Sequence, residues 1–598
     1  ELTVDNFTRK IKDESWTEFM PKGISKEDFN KIRKCFNATR FEEAGKKYRA
    51  LTREADFMHI DERIRQITEI FSYFRNPDKE TVLTPWRVVN MHMSDTIGGW
   101  CWYDESFDEK TGVLDTPRYV DQGDVTRQLF DNVDLAGEVQ TKILEINSKT
   151  GLYPLYVTYS LFRRRLDEYI KAECIDKETV SVQEEQVVWD DIVKDNMYVI
   201  CNTPMAVGIT RRTLFGFRQV DQKANIKNVQ LIERASKDQE GLVKELKSVG
   251  FWKGNSSKQE MKFNAVVGNP PYMLKQDATS DTPIYHQFME LGFQLSPLAT
   301  FITPGRFLFD AGKTPKEFNS KMLNDDYFKV VRYEPDSTKI FDKVDIKGGI
   351  AITMHNTNMK YGRIIRFTSH HELHTILKKV IEHKDFESID KLIYLQNKFN
   401  LKELYKDYPE YKTIIGSNGR EKRLTTSIFN QLDVFSSVRK NGDDLEIIGL
   451  INNNRVYRYI PKRYIEAHEN LYKYKVVIPA SNGSGAIGEV LSTPILGEPI
   501  LGYTQSFIGI GAFEKEAEAD AALKYVKTKF MRTMLGILKV TQDNNTDVWK
   551  FVPLQDFTSN SDIDWSQNIP DIDRQLYSKY NLSDDEIDFI EKMIKPMD

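Results

Sequence analysis

Apolar and polar positions follow two different rhythms along this chain. From the start to about residue 80, apolar residues recur at mixed helical spacings among many charges. Ser25-Lys26-Glu27-Asp28 has the form of a helix cap, and the stretch from Phe41 to Phe74 reads as helical. From about residue 140 the rhythm changes to short apolar runs, each followed by a turn-prone loop. Thr141 to Ile146, Asn196 to Cys201, Phe263 to Val267, the run from Ala299, Val330 to Tyr333 and the run ending at Ile352 read as strands, because they are brief, apolar and partly β-branched. Pro154 to about Ala172 and Tyr285 to Leu295 read as helices between them. Strands interleaved with helices predict an open α/β sheet. Residues 101 to 125, rich in turn formers, predict an excursion or hairpin. From about residue 360 a charged helical segment, His370 to Lys391, gives way to a β-rich region, and Ser583-Asp584-Asp585-Glu586 opens a last helix as a capping box. The pattern predicts three parts: a helical region over 1–80, an α/β domain over 81–358 and a mixed α+β domain over 359–598.

Composition narrows the picture modestly. A chain of 598 residues with 40% hydrophobic and 29% charged residues is globular in character. The net charge of -5 requires any nucleic-acid surface to be a local patch. Cys35, Cys101, Cys174 and Cys201 stand far apart, with no CxxC pair and no disulfide framework, which predicts a reducing cytoplasm and no structural zinc. No apolar run approaches membrane-spanning length, so no membrane partner is expected.

The candidate chemistry sits where the run Phe263–Val267 breaks into Gly268-Asn269-Pro270-Pro271-Tyr272. Two prolines cannot continue a ladder, so the chain leaves the sheet and presents Asn269 and Tyr272 on a stiff loop at the strand's carboxyl end, where open α/β sheets bind ligands. The exocyclic amine of a base is a weak nucleophile, its lone pair being delocalised into the ring. The Asn269 side-chain oxygen and the Pro270 carbonyl are two neutral acceptors for its two N–H groups, and Tyr272 is a flat platform for the ring. A tetrad of this kind arises by chance roughly 0.02 times in a chain of this composition. The loop resembles the catalytic loop of amino-group DNA methyltransferases that use S-adenosylmethionine. It also resembles the Asn-Pro-Pro-Tyr of protein-glutamine and some RNA methyltransferases.

Three further segments sharpen the resemblance. Thr84-Pro85-Trp86 reads as a helix start, with Thr84 as N-cap and Pro85 at the first helical position. It resembles motif X of methyltransferases, which lies against the methionine end of the cofactor. The run ending Glu145-Ile146-Asn147-Ser148-Lys149-Thr150-Gly151-Leu152-Tyr153 is a first βα turn in which glycine lets backbone approach a ligand. It resembles motif I, with Glu145 as the acid, Gly151 as the glycine and Tyr153 as the aromatic, but carries Ile146 and Asn147 where a proline and a small residue are common. At the end of the next strand, where the family places an acid on the cofactor ribose, stand Cys201 and Asn202. Leu231-Ile232-Glu233 is a weak match for the segment that meets the cofactor adenine. Phe341 matches the phenylalanine that begins motif VIII and packs on a flipped adenine; a buried core phenylalanine is an equal reading.

The order motif X, motif I, catalytic loop, then a large C-terminal region resembles the gamma class of N6-adenine DNA methyltransferases from type II, including fused type IIG, restriction-modification systems. The resemblance implies a Rossmann-like methyltransferase domain of the α/β class with a C-terminal target-recognition domain and site-specific methylation of adenine N6. S-Adenosylmethionine would be held by Thr84, Pro85, Glu145, Asn147, Gly151, Tyr153, Asn202 and Asn269, and no metal is required. Asn269, Pro270, Pro271 and Tyr272 would be catalytic, with Tyr272 and Phe341 stacking on the base. Double-stranded DNA is the implied partner, with a nuclease or helicase module in the same or a partner chain. The expected DNA surface is Asn453–Lys475. Six basic residues, Arg455, Arg458, Lys462, Arg463, Lys473 and Lys475, stand there against two glutamates, with five tyrosines interleaved. Ser481-Asn482-Gly483-Ser484-Gly485 is expected beside it as a loop of hydrogen-bond donors. Gln505 is a candidate reader of an adenine edge. An RNA or protein-glutamine methyltransferase, or a non-catalytic DNA specificity subunit, are the competing readings.

Overall fold

The computed structural model describes residues 2–21, 23–74, 76, 82–99, 101–102, 118–119, 141–219, 224–274, 282–309, 313–342, 344–368, 370–482, 487–488, 491–539 and 543–597. The chain divides into two compact units, Glu1–Phe367 and Thr368–Asp598.

The first unit is built on one seven-stranded sheet. Its strands are β1 (Ile143–Ile146), β2 (Met197–Cys201), β3 (Asn225–Asn228), β4 (Ala265–Gly268), β5 (Leu298–Pro304), β6 (Phe328–Glu334) and β7 (Ile350–Asn356). They lie side by side as β3-β2-β1-β4-β5-β7-β6, with β1 to β5 parallel and β7 antiparallel to both its neighbours. The expected α/β class and central, mostly parallel sheet are therefore observed. Both faces of β1 are covered: Ile143 enters a core with Val199, Val267 and Leu155, while Leu144 and Ile146 enter another with Val266, Phe288 and Phe301. That two-sided burial is why these strands read as continuous apolar runs rather than alternating ones. The chain winds outward from β1 through β2 to β3, then returns to place β4 on β1's other side. The reversal between β1 and β4 is the crevice that ligands use in such sheets.

Helices α1 (Ala38–Ala55) and α2 (Ile60–Ser72) of the expected N-terminal helical region do not form a separate body. Ile60, Ile64, Ile67 and Ile70 share the core that holds Trp86, Leu155 and Phe162. The sheet is flanked by α3 (Trp86–Thr96), α4 (Leu152–Glu173), α5 (Val182–Asp195), α6 (Pro204–Phe215) and α7 (Tyr285–Leu295). The expected excursion over 101–125 contributes a two-residue antiparallel pairing, Cys101–Trp102 with Arg118–Tyr119; its other residues lie outside those described, as do residues 77–81.

The second unit holds two sheets. One runs β8-β14-β11-β12, with β8 at Ile393–Tyr394, β11 at Tyr474–Pro479, β12 at Ile495–Gly497 and β14 at Phe507–Phe513. The other runs β10-β9-β13, with β9 at Asp444–Ile451, β10 at Asn454–Pro461 and β13 at Leu501–Tyr503. Helices α8 (Glu516–Lys527), α9 (Lys529–Gly536), α10 (Ile569–Lys579) and α11 (Asp584–Met593) close its core. The last opens on the expected capping box, with Ser583 and Glu586 each bonded to the other's backbone.

Candidate functional site

The carboxyl ends of β1 and β4 meet at a direct hydrogen bond. Asn147, first residue past β1, turns back with φ 68°, a left-handed conformation that asparagine tolerates better than most residues. Its Nδ2 donates at 3.0 Å to the backbone carbonyl of Asn269, first residue past β4. Gly268 is required just before it: a Cβ there would lie 2.6 Å from the Ile146 carbonyl oxygen. Gly151, at φ 77°, starts α4, and a Cβ on it would lie 2.9 Å from Thr210 Cα, so the loop closes tightly on α6.

The side chains at this crevice are unusual in what they lack. Glu145, the acid of the first βα turn, is buried, and Oε2 has no hydrogen-bond partner. Burial pushes its carboxyl up to about 8, offset in part by the Ser148 hydroxyl. Asn147 Oδ1 and Asn269 Oδ1 are likewise buried without partners, as is the Tyr272 hydroxyl. Among the described residues nothing donates to the Pro270 carbonyl. Burial holds the Tyr272 phenol far above its ordinary range, with Asn269 beside it pulling the other way. Both Glu145 and Tyr272 are near enough to push the Tyr153 phenol up further than burial alone does. Glu145, Asn147, Asn269, Tyr153 and Tyr272 thus form one neighbourhood. A buried polar group without a partner costs about 1–3 kcal/mol, so such a cluster marks a place built for a ligand rather than for stability.

Thr84 reaches the same place by a route other than the expected one. It is not an N-cap: α3 begins at Trp86, Pro85 occupies the cap position and no side chain caps the helix. Freed from capping, the Thr84 hydroxyl accepts a hydrogen bond from Asn269 Nδ2 at 2.9 Å. Helix α3 is fixed beneath it by Arg87, which donates to the carbonyls of Lys339 and Ile340, and by His92. The fully buried His92 lies between Tyr153 Oη at 2.7 Å and Thr300 Oγ1 at 2.8 Å. Thr300 donates to the Thr353 carbonyl, so it accepts from His92 Nε2–H, and His92 Nδ1 accepts from Tyr153. Burial lowers the imidazole to about 3, which keeps it neutral and suits both roles. Sequence reading passed over His92; a single histidine among Val88, Val89, Met91 and Met93 carries no local signal, and only the fold reveals its partners.

The remaining residues of the crevice divide. Asn202 stands half-buried past β2, with Thr203 capping α6. Cys201 is fully buried against Thr210, its thiol pushed well up by burial, so it is core. Leu231-Ile232-Glu233 opens a short helix, Leu231–Lys237. Tyr272 and Phe341 are brought together in one cluster with Val82, Ile302 and Ile350, but Phe341 is 0% exposed and offers no open face to a base in this conformation.

In the second unit the expected DNA surface needs one clear correction. Lys475 is fully buried, and its ammonium donates to the carbonyls of Leu471, Glu498 and Leu501, with burial lowering it to about 7. It lies on β11 at the centre of a sheet, where backbone carbonyls replace water, and takes no part in a surface. The others are graded. Lys462 is exposed and lies over the Tyr472 ring. Arg463 is exposed and pairs with Asp407 at 2.8 Å, and Lys473 pairs with Glu514. On β10, Arg455 donates to the Thr493 carbonyl and Arg458 to the Tyr457 carbonyl. Gln505 occupies the turn between β13 and β14 rather than a strand, and its Nε2 contacts Thr426 Oγ1 at 3.4 Å. Ser481 and Asn482 are described, and Gly483–Gly485 lie outside the described residues. Among the described residues no three His, Cys, Asp or Glu side chains are grouped as a metal site, and no helix is long and apolar enough to cross a membrane.

Comparison with known proteins adds independent findings. Residues 195–341 match the family described as Eco57I restriction-modification methylase. An uncharacterised adenine-specific methylase of Mycoplasma pneumoniae is 29% identical over 103 residues, which is 16% of this chain and 24% of that protein. The chain therefore spans about a quarter of the length of that relative. Among solved structures, similarity extends to the ATP-dependent Type ISP restriction-modification enzyme LlaBIII bound to DNA, at 11% identity over 90% of this chain and 45% of that one, with a TM-score of 0.34. It extends also to the Type IIL restriction-modification enzyme MmeI in complex with DNA, at 9% identity over 76% and 72% of the two chains, with a TM-score of 0.33. Residues 195–341, which carry the Asn269–Tyr272 loop, are thus similar to the Eco57I restriction-modification methylases, in keeping with the resemblance seen in the sequence.

Proposed function

We propose that this chain is a site-specific DNA methyltransferase of a restriction-modification system, acting on the N6 amine of an adenine taken out of the duplex. The observation that carries this reading is the set of buried, unpartnered acceptors at the β1/β4 crevice: Glu145 Oε2, Asn147 Oδ1 and Asn269 Oδ1. S-Adenosylmethionine brings an ammonium, a sulfonium and ribose hydroxyls, and adenine N6 brings two N–H donors, so the residues present fit both. Glu145, Asn147 and Gly151 would hold the methionine and ribose part with Thr84, Pro85 and Tyr153 around it, and Asn202 the ribose edge. When bound, the cofactor supplies a methyl on a sulfonium sulfur, which keeps the bonding electrons as the new N–C bond forms. The protein's part is electrostatic positioning. Asn269 Oδ1 and the Pro270 carbonyl accept the two N6 hydrogens, drawing the nitrogen lone pair out of the ring system without a charged base. Pro270 and Pro271 fix those acceptors, and Tyr272 holds the base by its ring. The alkylated nitrogen stays hydrogen-bonded to these two oxygens, which are too weakly basic to take its proton, and loses that proton to water.

In the second unit, Lys462 and Arg463 with Arg455, Arg458 and Lys473 would contact phosphates, and Gln505 would lie near a base edge; residues 368–598 are thus read as the target-recognition domain. Asn269→Ala is expected to slow methyl transfer by roughly 10²–10³-fold or more while DNA binding stays within a few-fold, as measured by incorporation of labelled methyl groups and by gel shift. Unchanged turnover contradicts the mechanism. Label found in RNA or in protein glutamine, with none in DNA, favours the competing enzyme readings.

A further inference from the structure

We propose that Thr84 is a positioning residue for the catalytic amide, setting which end of the Asn269 side chain faces the substrate amine. The inference rests on the reading of the site given above and goes one step into it, assigning Thr84 a task toward the chain's own asparagine in addition to any contact with the cofactor.

The Asn269 side chain has two chemically opposite ends, an acceptor oxygen and a two-donor NH2. Only the oxygen end helps an amine that itself presents donors; the NH2 end would set donor against donor. Something must therefore choose the orientation. The backbone of Asn269 is held by Asn147 Nδ2 on its carbonyl, which leaves rotation of the terminal amide unset. Thr84 Oγ1 sets it, by accepting from Asn269 Nδ2 at 2.9 Å. The oxygen at the amide's other end is then left buried and with no partner.

Thr84 is itself well placed to impose a geometry. It precedes a proline, which restricts it to extended backbone. Pro85 caps α3, and α3 is tied down by Arg87 on the carbonyls of Lys339 and Ile340 and by His92 between Tyr153 and Thr300. The rigidity of the sheet and its flanking helix thus reaches the asparagine amide through one hydroxyl.

Single-turnover methylation of a duplex substrate, at saturating S-adenosylmethionine, tests this in the full chain with Thr84→Val, Thr84→Ala, Thr84→Ser, Asn269→Ala and the Thr84→Val/Asn269→Ala double variant. The expected results are a loss of about 10- to 100-fold for valine and alanine, the scale of a misplaced catalytic group, and recovery to within a few-fold by serine. The double variant should be no slower than Asn269→Ala alone. Calorimetry with S-adenosylmethionine runs in parallel, so that a contact with the cofactor is read separately. The alanine variant asks nothing of packing and decides the matter if the valine variant loses its thermal transition. Wild-type rates in Thr84→Val and Thr84→Ala overturn the proposal, as does a defect that saturating cofactor abolishes, or a further loss in the double variant. If Asn269→Ala loses methyl transfer while Thr84→Ala is not slowed, only this proposal fails. If Asn269→Ala transfers methyl as fast as the wild type, the reading of the site itself fails.

Discussion

Glu145 shows how one residue's burial becomes a measurable property. Its carboxyl lies at the end of β1 with one oxygen unpartnered, and burial raises it from the usual 4.5 to about 8. A raised native pKa means that the proton is favoured in the folded state. The stability that this group contributes is therefore present below about pH 4.5 and is lost as pH rises through about 8. A bound ammonium or sulfonium reverses the preference, because a cation beside a carboxyl favours its charged form. Binding of S-adenosylmethionine at pH 7 is accordingly expected to release a proton. Calorimetry in two buffers of different ionisation heat checks this: the apparent enthalpy should differ between buffers for the wild type and not for Glu145→Gln, whose affinity should also be lower. Equal enthalpies for the wild type would mean that Glu145 does not meet the cation.

At the scale of elements, α3 joins the site to the sheet. His92 donates to Thr300 on β5 and accepts from Tyr153 on α4, and it does so only while neutral. Its depressed pKa, about 3 against the usual 6.5, has the opposite sign from that of Glu145: the contribution is present above about pH 6.5 and is lost as pH falls toward 3. His92→Ala leaves the Tyr153 hydroxyl and Thr300 without their buried partner, at about 1–3 kcal/mol each, and should lower the denaturation midpoint and flatten the stability profile between pH 6.5 and 4. An unchanged midpoint would show that the three groups are not coupled. This element also shows what a sequence does and does not disclose. The Thr84-Pro85 pair signalled a helix start because proline punctuates helices, but the hydroxyl's partner, 185 residues away, is a product of packing. The loops at Asn269–Tyr272 and Asn147–Gly151 were legible because each follows a short apolar strand with turn-forming residues. Lys475 was misread for the complementary reason. Its charge is local information, and the three carbonyls that bury it come from β13, a 3-10 turn and a loop.

For the whole molecule, sequence rhythm separated a strand-and-helix half from a β-rich half, and the structure divides at Phe367 and Thr368. What rhythm did not convey is that the N-terminal helices share the core of the sheet unit, since an amphipathic helix does not announce which body it buries against. The central claim is that neutral acceptors at the β1/β4 crevice serve an adenine amine, and one measurement meets it directly. The full chain is incubated with tritiated S-adenosylmethionine and plasmid DNA, and the DNA is then hydrolysed and its nucleosides separated. The account predicts label in N6-methyladenine for the wild type and, at equal short times, at least about a hundredfold less for Asn269→Ala. Label in another nucleoside, or undiminished N6-methyladenine with Asn269→Ala, would contradict it.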